Sequence, residues 1–136
     1  MKKFKCYCIS LRRASTKLTN IYNRHLKPTG LSVTQYSLLS AIRDLDTCSV
    51  TSLADYIGLE RTTLVRTLKP VLKRGLVIDL SGDGERDRQI RLSEEGHSLL
   101  TEARGYWAQA QDEINQVIGQ DQSNQLLDLL HKLSQL

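Results

Sequence analysis

The sequence predicts a mainly α-helical fold with one small β-wing, and three observations in the middle of the chain support this. A short helical pattern covers residues 50–57, and a second one covers residues 61–74. A two-strand pattern follows over residues 76–80 and 90–92, with Gly82-Asp83-Gly84 as its turn. Helix, tight turn, helix and hairpin in this order are typical of a winged helix-turn-helix.

The charge of this segment indicates a nucleic acid as the partner. Between Glu60 and Asp79 every charged residue is basic, and the whole chain carries a formal net charge of +4. In a winged helix-turn-helix the second helix enters the DNA major groove, while the wing contacts the neighbouring backbone or minor groove. We therefore expect double-stranded DNA to meet the cationic helix and the wing.

Length and composition favour one soluble domain over residues 1–136. No apolar run approaches the roughly 20 residues that a membrane helix needs. The basic N-terminus lacks the apolar stretch and the cleavage site of a secretory signal, which predicts a cytoplasmic protein with reduced cysteines. The chain has no phosphate loop, serine elbow or metal dyad, so we predict that it is not an enzyme and binds no cofactor.

Charge is distributed unevenly along the chain. Residues 1–43 contain no Asp or Glu, whereas acidic residues outnumber Arg104 and Lys132 from Glu94 onward. A basic front and an acidic back attract each other within one chain or between two chains, or they form two separately solvated helix faces.

The first two helices have recognisable ends. Apolar residues at three- and four-residue spacing predict the first helix over residues 6–26, and Pro28 ends it. The apolar stripe of this helix consists of Leu11, Leu18, Ile21, Tyr22 and Leu26. Ser32 and Gln35 have the spacing of a capping box, which starts the second helix.

The third and fourth helices form the helix-turn-helix pair. Ser49 is placed to cap the third helix, and Gly58 stops it. In the fourth helix Leu64 and Leu68 lie on the inward stripe. Five residues face outward, namely Arg61, Thr62, Val65, Arg66 and Lys69. Pro70 removes one helical hydrogen bond, so we expect it to kink or end regular helix nearby.

Two further helices follow the wing, and they predict a dimer. Ser93 caps the first of them, Gly119 breaks it, and the last helix is rich in leucine. The core of a winged helix-turn-helix can form without these two helices and without the first helix, so their apolar stripes stay uncovered. Large exposed apolar patches usually mark interfaces. We expect a homodimer whose recognition helices lie about 34 Å apart on a palindrome-like site. The alternative is that these helices pack back on their own domain.

From Leu31 to Gly96 the chain resembles the MarR (multiple antibiotic resistance regulator) family. The matching pieces are GLSVTQYSLLSAI from Gly30, SVTSLADYIGLERTTLVRTLKPVLKRGLV from Ser49 and RQIRLSEEG from Arg88. The resemblance implies a dimeric bacterial or archaeal transcriptional regulator, usually a repressor, released from DNA by a phenolic ligand, a metal or an oxidant. It also implies a winged helix-turn-helix over residues 32–92, with dimerisation helices over 5–27 and 94–136.

The resemblance and the basic pattern together select the residues that meet DNA. The candidates are Ser52, Arg61, Thr62, Thr63, Arg66, Lys69, Arg74, Arg86 and Arg88. An arginine bidentate to guanine recognises sequence, whereas an arginine on a phosphate only positions the protein, and both roles stay open for each arginine. Val65 stands where many relatives carry a small polar residue, which favours an apolar contact, for instance with a thymine methyl.

The wing departs from the family pattern, in which Asp-x-Arg stands near the tip and the Asp braces the Arg. Arg86 takes the Arg place, but Gly84 takes the Asp place. We expect Asp83 or Asp87 to brace instead. Arg86 is the first candidate for the minor groove or a phosphate, and Arg88 is the second.

The function of the three cysteines, Cys6, Cys8 and Cys48, stays open. By resemblance to relatives that sense organic hydroperoxides, Cys8 falls on the sensing cysteine and Tyr22 on a tyrosine that hydrogen-bonds it across the dimer. Arg12 replaces another tyrosine of that set. A thiolate near basic side chains and a helix N-terminus oxidises readily, whereas the alternative is that the cysteines are small apolar fillers. The histidines show no ligand spacing, so we predict no metal site.

Tyr36 and Trp107 mark where we expect a ligand pocket, between the dimer helices and the winged lobe. A small phenolic compound or a peroxide is the effector that the resemblance implies. The alternative to a specific regulator is an architectural or weakly specific DNA-binding dimer without effector response, in which the wing does most of the binding.

Overall fold

The computed structural model describes residues 5–81 and 87–136. In these ranges the chain forms α1 (Tyr7–Leu26), α2 (Val33–Leu45), β1 (Cys48–Ser49), α3 (Val50–Ile57), α4 (Arg61–Lys73), β2 (Val77–Asp79), β3 (Gln89–Leu92), α5 (Glu94–Ile118) and α6 (Gln120–Leu133). The predicted mainly α-helical winged fold is confirmed. Within the described ranges, no helix combines the length and apolarity that crossing a membrane requires.

The wing belongs to a small antiparallel sheet with strand order β1-β3-β2. Val77 pairs with Leu92 and Asp79 pairs with Ile90, so β2 and β3 form the predicted hairpin. Its predicted turn, Gly82-Asp83-Gly84, lies outside the described residues. The sequence does not reveal β1, because a two-residue strand has almost no pattern of its own and exists only through its pairing with β3.

Side-chain caps explain where the helices begin. The Ser32 hydroxyl accepts from the backbone N–H of Gln35, and the Gln35 side chain accepts from the backbone N–H of Ser32, so the predicted capping box is confirmed. Ser49 and Ser93 cap α3 and α5, each accepting at 3.0 Å from the backbone three residues further on. Each such cap stabilises its helix by about 1 kcal/mol.

Pro70 does not end the recognition helix, because α4 runs through it to Lys73. The proline stands in the last turn of α4, where little regular helix remains to be disrupted. Its own carbonyl accepts from the backbone N–H of Arg74 at 3.1 Å. Gly75 follows with a left-handed φ of +74°, which directs the chain towards β2.

The hydrophobic core lies mainly inside the winged lobe, which we define as α2 to β3 with the first half of α5, and the buried Leu26 at the end of α1 packs with it. Leu53 of α3 and Leu64 of α4 are completely buried, and α5 adds the buried Leu100. The start of α5 lies so close to the backbone of Leu76 that a Cβ on Gly96 would be 2.1 Å from the Leu76 carbonyl oxygen. Glycine is therefore required where α5 crosses the chain that leads into the wing.

The outer helices, α1, the second half of α5 and α6, leave much apolar surface uncovered. α1 packs along α5, but Leu26 is the one buried member of its predicted stripe, and Leu11 is exposed. No residue of α6 is buried. Its exposed leucines are Leu127, Leu129, Leu130 and Leu133. Packing of these helices on their own domain is thus incomplete within one chain.

Candidate nucleic-acid interface

The outward side of α4 is a continuous row of basic and polar side chains. Its exposed members are Arg61, Thr62, Val65, Arg66 and Lys69, as the sequence predicts. Thr63 is half-buried at the flank of this row. Leu64, Leu68 and Val71 are buried on the opposite side. Because the inner side anchors the helix in the core, the outer side is a firm surface of the width that a major groove admits.

The turn between α3 and α4 positions the recognition helix. Gly58 has a left-handed φ of +82°, and its N–H donates to the carbonyl of Ala54 at 2.8 Å. At the other end of α3, Ser52 is exposed, and its hydroxyl accepts from the hydroxyl of Ser49 at 2.9 Å. Ser52 therefore belongs to the cap of α3, and its contact with DNA stays a prediction.

Two carboxylates hold the base of the wing. Asp79 Oδ2 accepts from Arg88 Nη1 at 3.1 Å, which orients an arginine that is predicted to meet DNA. Asp87 Oδ1 accepts from the backbone N–H and the hydroxyl of Thr51, at 3.2 and 3.1 Å. The backbone N–H of Val50 also donates to the carbonyl of Arg88 at 3.0 Å. The start of β3 is thus fastened to the first turn of α3, where the helix dipole favours a carboxylate.

The charge on Asp87 also involves the recognition helix. The backbone hydrogen bond from Thr51 holds the pKa of this carboxyl below its ordinary value, and the positive charge of Arg61 adds to the same effect. We expected Asp83 or Asp87 to brace Arg86, but Asp83 and Arg86 lie outside the described residues. The observed partner of Asp87 is α3, a contact that the sequence did not indicate because positions 51 and 87 are far apart in the chain.

Arg74 connects the end of α4 to the segment between α1 and α2. Its guanidinium donates to the carbonyls of Gly30 and Thr29, each at 3.2 Å. Gly30 has a left-handed φ of +71°, which favours glycine at this position. Arg74 therefore has a structural role, and its predicted DNA contact stays a prediction.

The cysteines occupy two different environments. Cys6 and Cys8 are exposed at the start of α1, whereas Cys48 is buried in β1. Burial raises the pKa of the Cys48 thiol, which disfavours the reactive thiolate. Cys8 and Tyr22 lie on one helix and are separated by about 21 Å at 1.5 Å per residue, so a contact between them requires a second chain. Among the described residues, no group of three or more His, Cys, Asp and Glu side chains is arranged to hold a metal ion.

A polar cluster, which the sequence did not indicate, joins the end of α1 to α5. The Tyr22 hydroxyl donates to the Gln111 side chain, and burial raises the pKa of Tyr22. Glu113 lies 2.7 Å from Arg24 Nη2 and 3.3 Å from His25 Nε2. The hydrogen bond from Arg24, and then that from His25, lowers the pKa of Glu113. At this contact the basic front and the acidic back attract each other within one chain.

Tyr36 and Trp107 line one open cleft between α2, α3 and α5. Their rings stack with centroids 5.9 Å apart and an angle of 20° between planes. The cleft has a volume of about 440 Å³, within the range of small-molecule sites. Its lining carries two positive charges, on Arg43 and Arg104, and one carboxylate, Asp44, which lies 3.8 Å from Arg43 Nη2. The sequence did not predict this combination because Arg104 lies on a different helix from the other two.

Comparison with known proteins gives consistent matches. A profile of the MarR family matches residues 31–79. The Mycobacterium tuberculosis transcriptional regulator MosR, solved in complex with DNA, is 32% identical, with 96% of this chain and 97% of that chain covered and a TM-score of 0.82. BpsR of Bordetella bronchiseptica is 20% identical, with coverage of 100% and 99% and a TM-score of 0.87. A mutant MarR from E. coli complexed with operator DNA is 20% identical, with coverage of 90% and 89% and a TM-score of 0.81.

The match to MosR extends over nearly the whole of both chains, so it concerns the outer helices as well as the winged lobe. The profile match spans α2, α3, α4 and β2, which together build the exposed cationic row and hold it in place. BpsR and MarR, at lower identity, show the same fold. The chain belongs to the MarR family of DNA-binding transcriptional regulators.

Proposed function

We propose that this protein is a homodimeric, sequence-specific regulator that binds double-stranded DNA and represses transcription. The observation that carries this proposal is the exposed row on α4, which is basic and polar on a helix firmly anchored by its other side. MosR, a relative at 32% identity, has been solved in complex with DNA, which supports the same partner here.

The α4 row combines two kinds of DNA contact. Arg66 lies in the middle of the helix and on its exposed side, so we propose that it donates to a guanine edge. Arg61 and Lys69 lie one turn to either side of Val65, and we propose that they bind phosphates and fix the depth of the helix in the groove. Arg86 and Arg88 of the wing would bind the neighbouring backbone, with Asp79 orienting Arg88.

The second copy of the chain would cover the outer helices. Exposed leucines on α6 and exposed apolar residues on α1 leave apolar surface in water, and large patches of this kind usually mark interfaces. We propose that residues 5–27 and 94–136 build the dimer and that residues 32–92 bind DNA. Two α4 helices about 34 Å apart then meet successive major-groove faces of a palindrome-like site.

Control would come from outside the DNA-binding row. We propose that a small phenolic ligand in the cleft of Tyr36 and Trp107, or oxidation of Cys8, releases the DNA. Two stacked rings and a lining that holds two arginines against one carboxylate, Asp44, suit an aromatic anion. In BpsR, DNA binding is regulated by 6-hydroxynicotinic acid.

The DNA-binding proposal is tested by titrating the full chain with duplexes from its own promoter region as salt is raised. Selective binding is expected, with affinity that falls steeply with salt because several phosphates are neutralised. Arg66→Ala should reduce the preference for the specific site, whereas Arg86→Ala should weaken binding to all duplexes alike. Equal affinity for every duplex would support the architectural alternative and reject a specific regulator.

The redox proposal is tested with one substitution. Wild type and Cys8→Ser are treated with an organic hydroperoxide, and release of bound DNA is compared, with Cys6→Ser as the matched control. Cys8→Ser should stay bound because the thiol that forms sulfenic acid is absent. Identical release of wild type and Cys8→Ser would exclude Cys8 as the sensor.

A further inference from the structure

Val65 is an exposed apolar residue in the middle of a basic helix face. It is 42% exposed and lies on α4 between Arg61, four residues before it, and Lys69, four residues after it. Residues four apart on a helix are neighbours on one face, so both cations flank the valine directly. The core does not account for Val65, since Leu64 and Leu68 fill the inward side of this helix.

The surroundings of Val65 have an apolar floor and a charged rim. Val65 lines a cleft of about 290 Å³ between α4 and the wing. The apolar floor of this cleft consists of Val50, Leu68, Leu72 and Ile90. The rim carries three basic side chains, Arg61, Lys69 and Arg88, and one carboxylate, Asp79. The rim carries more positive than negative charge, so it attracts a polyanion such as DNA to the position of Val65.

A single exposed valine is ordinary on a protein surface, but the chemistry of its side chain limits the contacts that Val65 can make with DNA. Valine has no donor or acceptor, so against DNA it gains free energy only by burying another apolar group. Along the major-groove base edges the apolar group is the C5 methyl of thymine. The β-branched side chain is also stiff, so little rotamer entropy is lost when that contact forms.

We propose that Val65 is a specificity-determining residue that contacts a thymine C5 methyl in each half-site. The proposal rests on the proposed function, because it requires α4 to enter the major groove. Arg61 and Lys69 hold the helix on both sides of Val65. Val65 then favours A·T over G·C at one position, independently of any arginine bound to guanine.

The test uses the full-length protein and a site selected from random duplexes. Each thymine in the protected region is replaced, in both half-sites, by deoxyuridine, which lacks only the C5 methyl and keeps the O4 acceptor. Wild type should lose about fourfold in affinity per half-site at one symmetry-related pair of thymines, the effect expected for burying one methyl-sized group. Val65→Ala should lose this sensitivity, and Val65→Ile, which retains a branched apolar side chain, should keep it.

Thr62→Ala is the matched control on the same face, and it should keep the deoxyuridine effect whatever its overall affinity. If deoxyuridine lowered the affinity of wild type and Val65→Ala by the same factor, the proposal would be overturned, because the thymine methyl would then contact a residue other than Val65. A selected site without thymine, or one where no deoxyuridine matters, would overturn it as well. Selective binding with no methyl effect rejects this inference alone, whereas unselective binding of all duplexes rejects the proposed function too.

Discussion

The winged lobe and α6 carry similar leucine-rich patterns but bury them to opposite extents. In the winged lobe Leu39 and Leu53 are completely buried, whereas Leu127 and Leu129 of α6 are 61% and 56% exposed. The lobe has several elements that converge on one core, and α6 contacts mainly the end of α5. An amphipathic pattern therefore indicates that one face of a helix is apolar, but it does not indicate whether the same chain or a partner covers that face.

This difference separates two sources of stability. The winged lobe closes its core within one chain, so its packing does not depend on protein concentration. The outer helices gain their missing burial from a partner in the proposed dimer, so their contribution follows mass action. α5 belongs to both regions, since Leu100 is buried in the lobe and Ala110 is buried beyond it.

The largest expected effect is on the lobe itself. Leu53→Ala removes a completely buried side chain from α3 and leaves a cavity. It should lower the free energy of unfolding by about 2–5 kcal/mol at every protein concentration. Urea unfolding of wild type and variant measures this, and a loss that vanished at high protein concentration would show that the lobe is not self-sufficient.

The corresponding change in α6 should weaken the dimer rather than the fold of the lobe. Leu129→Ala combined with Leu133→Ala removes two exposed leucines one turn apart. The pair should weaken the dimer by about 2 kcal/mol while the lobe stays folded, because these side chains are buried only against a partner. Sedimentation measures the dimer, and circular dichroism measures the fold. An unchanged dimer constant would place the interface elsewhere.

Gly96→Ala tests the junction between the two regions. The added Cβ would lie 2.1 Å from the Leu76 carbonyl oxygen, so α5 has to move away from the lobe. We expect a loss of about 1–3 kcal/mol in the free energy of unfolding, as for other overpacked sites. Gly105→Ala is the control, since its Cβ would meet nothing within 4 Å. Equal stability of the two variants would contradict the close approach.

Arg74 separates a structural contact from a DNA contact. Arg74→Ala removes two hydrogen bonds to the segment between α1 and α2 and should cost about 1 kcal/mol of stability. Arg74→Lys keeps the charge but not the planar fork. If the arginine only holds the fold, the two variants lose similar stability and bind DNA equally per folded molecule. If Arg74→Ala loses DNA affinity and Arg74→Lys keeps it, Arg74 contacts a phosphate.

The smallest effect concerns pH and the base of the wing. The pKa of Asp87 is lowered from an ordinary 3.8 by the Thr51 hydrogen bond, so its stabilising contribution is complete above that value and disappears as pH falls through the lowered pKa. Asp87→Asn should therefore differ from wild type at pH 7 and pH 5, begin to approach it below pH 3.8, and match it only below the lowered pKa. Urea unfolding across this range measures the difference. A gap that persisted in acid would assign the effect to shape rather than charge.

The local features of the fold are predictable because neighbouring residues produce them. Ser32 with Gln35 makes a capping box from four consecutive residues, and Gly58 ends a helix through its own backbone freedom. The outward row of α4 follows from helical spacing alone. For the same reason the DNA-binding candidates on α4 are found without a structure, although which of them contacts a base remains a prediction.

Contacts between distant segments are decided only by the tertiary structure. The strand β1, the link from Asp87 to Thr51 and the pairing of Arg88 with Asp79 all depend on how the returning strand β3 lies against the rest of the lobe. The role of Arg74 follows from a contact with a segment 44 positions earlier. Spacing along a helix specifies which side chains share a face. What that face packs against depends on how the chain folds back on itself, and no pattern among neighbouring residues specifies which distant segments come into contact.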